Sequence, residues 1–111
     1  IALDVIRDRN TLFRETNEGL IENVYILKLI NMDKRQHEYS VSVSGINGIN
    51  LQMDAVDIVV KSGEVIELPV RVNIAPEYLD ERSTEISFHL HAIDAPDLAV
   101  TEEARFLGPR R

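Results

Sequence analysis

The sequence predicts an all-β domain built as two packed sheets. Apolar and polar side chains alternate most regularly from residue 64 to residue 74, where Ile66, Leu68, Val70 and Val72 fall on one face. A strand with one buried face requires this period of two. The chain also holds eleven valines and twelve isoleucines, whose branched side chains favour a pleated sheet over a helix.

Seven stretches are predicted as strands, with turn-forming residues at 45–48 and 61–63 between them. The stretch 24–30 is apolar on both faces apart from Lys28, which predicts a central strand whose outer face is partly covered. Residues 76–82 begin with a proline that suits a helix start, but the stretch is short and is predicted as a connecting loop. The predicted strands span residues 3–6, 24–30, 39–44, 55–60, 64–74, 86–92 and 98–107.

The spacing of these strands predicts an immunoglobulin-like β-sandwich of about seven strands without a disulfide. The Cys and Trp hallmarks of antibody domains are missing. Because Pro69 cannot donate a hydrogen bond to a ladder, the strand 64–74 is expected to lie at a sheet edge or to carry a bulge there. Phe88 falls on the apolar face of the strand 86–92 and is predicted to pack between the sheets.

Length, cysteine content and charge bound the possible functions. Residues 1–111 are expected to form a single domain, because that length suffices for one core. The chain has no cysteine, which excludes disulfides, thiolate zinc sites, iron–sulfur ligation and cysteine nucleophiles. Nineteen acidic against twelve scattered basic side chains give a net charge of −7, which disfavours binding to nucleic acid or anionic lipid. Strand-like residues at the start and a polar tail at 108–111 are typical of a piece of a longer polypeptide.

His89 and His91 are the pair of residues that offers metal chemistry. Alternate positions on a strand place both imidazoles on one face, within reach of a single metal ion. A third ligand would be available only if Met32, Met53 or His37 lay close to this pair in the folded chain. Two ligands on an exposed strand are a weak motif, so the sequence favours two solvated histidines.

Three acidic clusters have side chains that could serve as calcium ligands or as paired carboxylates for acid–base catalysis. None has the ligand spacing of an EF-hand, and neither a nucleophile elbow nor a phosphate-binding loop is present. Solvated loop charge is favoured for all of them. The sequence therefore assigns no catalytic, cofactor-binding or metal-ligating residue. The clusters are Asp80-Glu81, Asp94-Ala95-Pro96-Asp97 and Glu102-Glu103.

Asp8, Arg9 and Asn10 form a charged group early in the chain. They are interpreted as a turn in which Asp8 and Asn10 accept backbone hydrogen bonds and Arg9 pairs locally, in preference to a contact with a partner protein. Asn23 and Asn31 bracket the predicted central strand and are expected to cap turns in the same way.

A pattern of residues along nearly the whole chain carries a family resemblance. Its first third is distinctive, whereas the later Asn, Gly-Glu and Pro positions recur in many bacterial immunoglobulin-like domains. The chain resembles the C-terminal domain of FixG/CcoG-type cytochrome c oxidase accessory proteins. The pattern consists of Asp8-Arg9-Asn10, Arg14, Gly19, Glu22-Asn23-x-Tyr25-x-Leu27-Lys28, Asn31, Tyr39, Gly45, Gly63-Glu64, Leu68-Pro69-Val70, Pro76, Ile86-x-Phe88, Phe106 and Gly108-Pro109.

The resemblance implies a bacterial inner-membrane parent that carries 4Fe-4S clusters and serves assembly of the cbb3-type cytochrome c oxidase, through electron transfer linked to copper handling. It places Ile1 after the last membrane helix and this domain in the periplasm. The cysteine motifs for the clusters have no counterpart in the chain, so no cofactor is expected in this domain. The expected partners are proteins, namely the parent's membrane domain and oxidase assembly components, and not nucleic acid.

Two functions remain open on this basis. The first is a noncatalytic interaction or positioning module of the redox parent, the parent alone being an oxidoreductase. The alternative is a stand-alone extracytoplasmic binding module for a metal, a carbohydrate or a protein. Three Phe and three Tyr residues, several at inward positions, argue mildly against sugar binding.

Overall fold

Two antiparallel sheets face each other in the computed structural model, which describes residues 1–8, 12–55 and 57–109. This arrangement confirms the predicted all-β sandwich. The described residues form nine strands and one 3₁₀ turn, Pro76–Tyr78, and contain no helix long and apolar enough to cross a membrane. The strands are β1 (Ala2–Arg7), β2 (Arg14–Glu15), β3 (Ile21–Ile30), β4 (His37–Ser44), β5 (Asn50–Gln52), β6 (Ile58–Val60), β7 (Val65–Ile74), β8 (Ser83–Ala92) and β9 (Ala99–Leu107).

The seven predicted strands all exist, and two short ones were missed. β2 has two residues and β5 has three, too few for an alternating pattern to be recognised. The expected strand at 55–60 is shorter than predicted and begins at Ile58; Val56 lies outside the described residues. The loop expected at 76–82 is present, with the 3₁₀ turn at its start.

The first sheet is centred on β3. Its strand order is β1-β3-β7-β5, and β2 pairs with the first two residues of β3, beyond the end of β1. β3 and β7 pair over ten residues, from Ile21 opposite Ile74 to Ile30 opposite Val65. The inward residues of β3 are buried, and its outward residues are half-buried apart from Glu22, which is buried. The prediction of a central strand with a partly covered outer face is therefore confirmed.

Pro69 lies where one side of β7 is open. On one side Pro69 stands opposite Ile26 of β3, whereas on the other side β5 pairs only with residues 71–73 of β7. Among the described residues, the segment of β7 that carries the proline is thus a local sheet edge. This confirms the expectation drawn from the missing N–H donor.

The second sheet has the order β6-β4-β8-β9 and packs its apolar face against the first. Phe88 of β8 is fully buried, and its ring meets that of Tyr25 of β3 edge-on, with centroids 5.2 Å apart and an interplanar angle of 69°. Edge-to-face contact is a favoured geometry for aromatic rings. The predicted position of Phe88 between the sheets is confirmed.

Hydrogen bonds from β3 fasten the two sheets to each other. The Asn23 side chain donates to the Leu107 carbonyl at 2.8 Å and accepts from the Leu107 N–H at 2.9 Å, as a strand neighbour would. The Tyr25 hydroxyl donates to the Arg105 carbonyl at 2.7 Å. Asn23 does not cap a turn, so that expectation was wrong. The reason is its inward position on β3, which directs the amide to the end of β9.

Asn31 behaves as predicted. Its side-chain oxygen accepts from the N–H of Asp33 at 3.0 Å, and its amide donates to the carbonyls of Arg35 and Val60 at 2.9 Å. It therefore caps the β3–β4 turn and also ties that turn to β6.

The strand registers define two ends of the sandwich. Ile1 lies at one end, beside the loops 31–36, 61–64 and 93–98, because Ala2 of β1 pairs with Ile30 at the end of β3. The opposite end carries the turn 16–20 and the loops 45–49 and 75–82. The longest extent of the molecule is 48 Å.

Candidate functional site

A polar pocket of about 320 Å³ opens on the outer face of the first sheet, at the end away from Ile1. The hairpin that joins β2 to β3 forms one wall. Its turn is closed by Gly19 at a φ of +80° and by the N–H of Leu20, which donates to the Thr16 hydroxyl at 3.1 Å. Gln52 and Arg71 line the opposite wall, and Glu22 and Asn73 form the floor.

The floor of the polar pocket holds a buried charge. Glu22 is 3% exposed, and its Oε1 accepts from Nε of Arg14 at 2.7 Å and also contacts Nη2 of that residue. The other carboxylate oxygen, Oε2, accepts from Nδ2 of Asn73 at 3.3 Å. A buried carboxylate is tolerated only when it is paired and hydrogen-bonded, and Arg14 supplies that pairing.

One buried acceptor in this pocket has no hydrogen-bond partner in the part of the chain that the structure describes. Asn73 is 2% exposed, and its Oδ1 receives no hydrogen bond from any described residue. The amide orientation follows from its neighbour, because a reversed amide would turn its oxygen toward the Glu22 carboxylate. The pocket thus combines paired charges with a buried acceptor that has no hydrogen-bond partner among the described residues.

A second cluster lies at the opposite end of the sandwich, around the buried imidazole of His37. Nε2 is 2.5 Å from Oδ2 of Asp33, and Nδ1 is 2.9 Å from Oδ1 of Asp94. Ionised carboxylates only accept hydrogen bonds, so both ring nitrogens must carry a proton. The imidazolium joins the loops 31–36 and 93–98 to the start of β4.

These contacts shift the pKa values of all three groups. The hydrogen bonds to Asp33 and then to Asp94 raise the pKa of His37, although burial works in the opposite direction. The hydrogen bond from His37 is the main cause that lowers the pKa of Asp33 and the pKa of Asp94. All three shifts favour the charged forms of these groups.

His89 and His91 lie on the outer face of the second sheet, as their alternation predicted. Nε2 of His89 is 2.7 Å from the Ser44 hydroxyl, and Nδ1 is 3.0 Å from the Thr101 hydroxyl, so both nitrogens already have neighbours. His37 faces the core on the other side of that sheet, Met53 packs against the core and Met32 is exposed in the loop 31–36. None of these three joins the pair. Within the described ranges, no group of three or more His, Cys, Asp or Glu side chains is placed to hold a metal ion.

The acidic clusters separate into three cases. Asp80 and Glu81 are exposed loop residues, as expected. Asp94 is an exposed residue of the loop 93–98, as expected, and its carboxylate in addition binds His37, because that loop folds back on β4. The third pair, Glu102-Glu103, was placed in a loop or at a strand end and instead lies in the middle of β9. A hydrogen bond with Glu85 and repulsion from it raise the pKa of Glu103.

The group at residues 8–10 is only partly described. The main-chain N–H of Asp8 donates to the Val24 carbonyl at 2.9 Å, which extends the β1–β3 ladder. Arg9 and Asn10 lie outside the described residues, and the predicted turn at these positions stays a prediction.

Comparison with known proteins agrees with the sandwich over its whole length. A family model described as "IG-like fold at C-terminal of FixG, putative oxidoreductase" matches residues 1–109. The chain belongs to this FixG family. The crystal structure of a FixG-related protein from Vibrio parahaemolyticus is similar, with 34% sequence identity, a TM-score of 0.82, and coverage of 96% of this chain and 94% of that one. No curated protein sequence matches the chain.

Membership of the FixG family confirms the resemblance seen in the sequence. The family description calls FixG a putative oxidoreductase and places the immunoglobulin-like fold at its C-terminus. The residues of this domain that come together in space were nevertheless missed by sequence reasoning. Glu22 and Asn73 stand 51 positions apart, and both occupy outward strand positions where polar residues are ordinary. His37 gave the weak signal of a carboxylate four residues earlier, at Asp33.

Proposed function

We propose that this domain is a noncatalytic interaction and positioning module of a membrane-bound iron–sulfur protein that serves assembly of the cbb3-type cytochrome c oxidase. Electron transfer and copper handling belong to the rest of that parent, which carries the 4Fe-4S clusters. The single observation that supports this function is the match of residues 1–109 to the family model of the immunoglobulin-like C-terminal domain of FixG, which is described as a putative oxidoreductase. The partners are the parent's membrane domain and components of oxidase assembly.

Hydrogen bonds and ion pairs between separate segments of the domain support a positioning role. Asn23 and Tyr25 join the two sheets, and His37 joins two loops to β4. Such cross-links oppose sliding of one sheet over the other, so forces applied at one end reach the other end of the sandwich. A rigid body of this kind holds a partner at a fixed place relative to its anchor.

The proposed location is the periplasmic face of the bacterial inner membrane. In this proposal a membrane helix precedes Ile1, and the loops 31–36, 61–64 and 93–98, which lie at the same end of the sandwich as Ile1, then face the bilayer. The polar pocket then lies at the far end of a molecule whose longest extent is 48 Å. That orientation leaves the pocket open to a periplasmic partner.

Removal of the domain from the full parent tests the function. We expect a parent that lacks residues 1–111 to keep the electron paramagnetic resonance signals of its clusters, while cells that carry it accumulate less assembled cbb3 oxidase. The intact parent, expressed at the same level, is the control. Loss of the cluster signals on deletion, or normal oxidase assembly without the domain, contradicts the proposal.

Thiol labelling tests the location. The chain has no cysteine, so Glu81→Cys introduces a single reactive thiol into this domain at an exposed loop position. In spheroplasts of cells expressing the parent, a membrane-impermeant maleimide should label this variant and leave the parent without the substitution unlabelled. Labelling only after lysis would place the domain in the cytoplasm.

A further inference from the structure

An apolar groove of about 340 Å³ opens where β9 ends, at the end of the sandwich away from Ile1. It is lined by Leu12 and Phe13, which precede β2, by Leu107 and Gly108, and by Arg82 and Ser83, where β8 begins. Leu12 is 60% exposed, whereas Phe13 and Leu107 are half-buried. The groove thus leaves adjoining apolar side chains in contact with water, and covering them would be favourable.

Contacts with the rest of the domain hold the lining of the apolar groove in place. Both main-chain groups of Leu107 are bound by Asn23, and the N–H of Gly108 donates to the Arg82 carbonyl at 2.9 Å. Phe13 packs against the core. Because these segments are already ordered, a ligand does not have to order them when it binds, which lowers the cost of binding.

Arg82 gives the groove its charge. Of the described residues that line the groove, it is the only one with an ionisable side chain. The Arg82 side chain is exposed, and its guanidinium has no hydrogen bond or ion pair with any described residue. Arg105 is already engaged, since its Nε donates to the Ser83 hydroxyl and its Nη2 to the Ser83 carbonyl, both at 2.9 Å. A free positive charge therefore stands beside an exposed apolar surface.

We propose that the apolar groove binds a segment of a partner protein in which a large apolar side chain adjoins a carboxylate residue. The apolar side chain covers Leu12 and Phe13, and the carboxylate pairs with Arg82 through two parallel hydrogen bonds. The net charge of −7 disfavours an anionic membrane surface as the occupant. This inference rests on the interaction role proposed above and names the chemistry of the partner.

A titration with blocked dipeptides measures this recognition directly. The 111-residue chain, labelled with ¹⁵N, is titrated with N-acetyl-Phe-Glu-amide while the main-chain amide signals of Leu12 and Gly108 are followed. We expect a saturable shift with a midpoint on the order of millimolar, as for a ligand of this size. Two matched probes separate the contributions: N-acetyl-Phe-Gln-amide lacks the charge, and N-acetyl-Ala-Glu-amide lacks the ring. Each should bind about fivefold or more weakly, the effect of losing one favourable contact.

Substitutions at exposed positions assign the binding to the groove. Leu12→Ser and Arg82→Gln should each weaken binding of N-acetyl-Phe-Glu-amide about fivefold or more, and Arg82→Gln should also abolish the preference for the glutamate probe over the glutamine probe. The controls lie at the other end of the sandwich. Met32→Ser replaces an apolar residue that is 64% exposed, and Lys61→Gln removes one exposed positive charge. Both controls should leave the midpoint unchanged.

Four results overturn the inference. The first is that the Leu12 and Gly108 signals do not move up to about 50 mM probe, and the second is equal binding of the three probes. The third is cosedimentation of the chain with vesicles of phosphatidylcholine and phosphatidylglycerol that Leu12→Ser abolishes, which assigns the groove to lipid. The fourth is a set of nuclear Overhauser contacts between residues 110–111 and Leu12, which means that the chain fills its own groove.

The domain-deletion experiment is independent of these results. A groove that binds none of the probes, together with impaired oxidase assembly on deletion, refutes the proposed ligand alone. Normal assembly without the domain refutes the interaction role.

Discussion

The bridge from Asn23 to Leu107 offers a sharp test of how the two sheets are held together. One side-chain amide serves both main-chain groups of Leu107, at 2.8 and 2.9 Å, across 84 positions of sequence. Asn23→Ala removes both hydrogen bonds and leaves the N–H and C=O of Leu107 unpaired beside β3. The rest of β9 keeps its ladder with β8, so the effect should be confined to the junction.

The expected loss follows from the number of groups left unpaired. A buried polar group without a partner costs roughly 1–3 kcal/mol, and Leu107 is half-buried, which places each group at the lower part of that range. Two such groups predict a loss of about 2–4 kcal/mol in the free energy of unfolding. That is a large share of the roughly 5–15 kcal/mol that stabilises a domain of ordinary size.

Urea unfolding of Asn23→Ala measures this loss, with Asn47→Ala, an exposed loop substitution, as the control. The midpoint of the Asn23 variant should fall while the slope with urea stays the same, since the surface exposed on unfolding is unchanged. Hydrogen exchange should show faster exchange at the Leu107 amide. A loss below about 0.5 kcal/mol, within the range of ordinary surface substitutions, would refute the bridging role.

Three further predictions concern the core, the charged cluster and one turn. Phe88→Ala should lower the free energy of unfolding by roughly 3–5 kcal/mol in urea unfolding, because the side chain is fully buried; near-neutral stability would reverse the assigned faces of β8. The raised pKa of His37 gives stability that is complete below its unfolded pKa of about 6.5 and is lost as pH rises through the folded value. The lowered pKa values of Asp33 and Asp94 give stability that is present above their unfolded pKa of about 3.9 and is lost as pH falls through their folded values. The melting temperature should therefore be highest between about pH 4 and 6.5. His37→Gln should reduce the decrease in melting temperature above that range. Gly45→Ala should destabilise the chain in thermal unfolding, because the added Cβ would lie 2.8 Å from a β8 carbonyl and the φ is +124°; an unchanged melting temperature would show that the turn relaxes freely.

Much of the fold was predictable because its longer strands bury one face. The alternation from residue 64 to 74 predicted β7, and the missing N–H of Pro69 predicted a local edge that the structure confirms. β2 and β5 were not predicted, because two or three residues are too few to show the alternation of apolar and polar side chains. The family was also readable from the first third of the chain, where the residue pattern is most distinctive, and the match over residues 1–109 confirms it.

The candidate site was not predictable in the same way. Glu22 and Asn73 occupy outward positions, where a polar residue in a strand normally meets water and carries no signal. In the folded domain the hairpin turn 16–20 and Arg71 line the same pocket as these two residues. The contact of Asp94 with His37 was not predictable either, because only the fold of the loop 93–98 onto β4 brings the two side chains together.

The sequence by itself determined what is local: which residues form strands, which face of each strand is apolar, and that no cysteine is present for a disulfide or a cluster. Tertiary structure alone decided which polar groups meet, as with Asn23 and Leu107 or the two carboxylates on His37. The physical reason is that burial of apolar faces depends on periodicity along the chain. Hydrogen bonds and ion pairs depend on angstrom-scale distances between segments that the sequence keeps far apart.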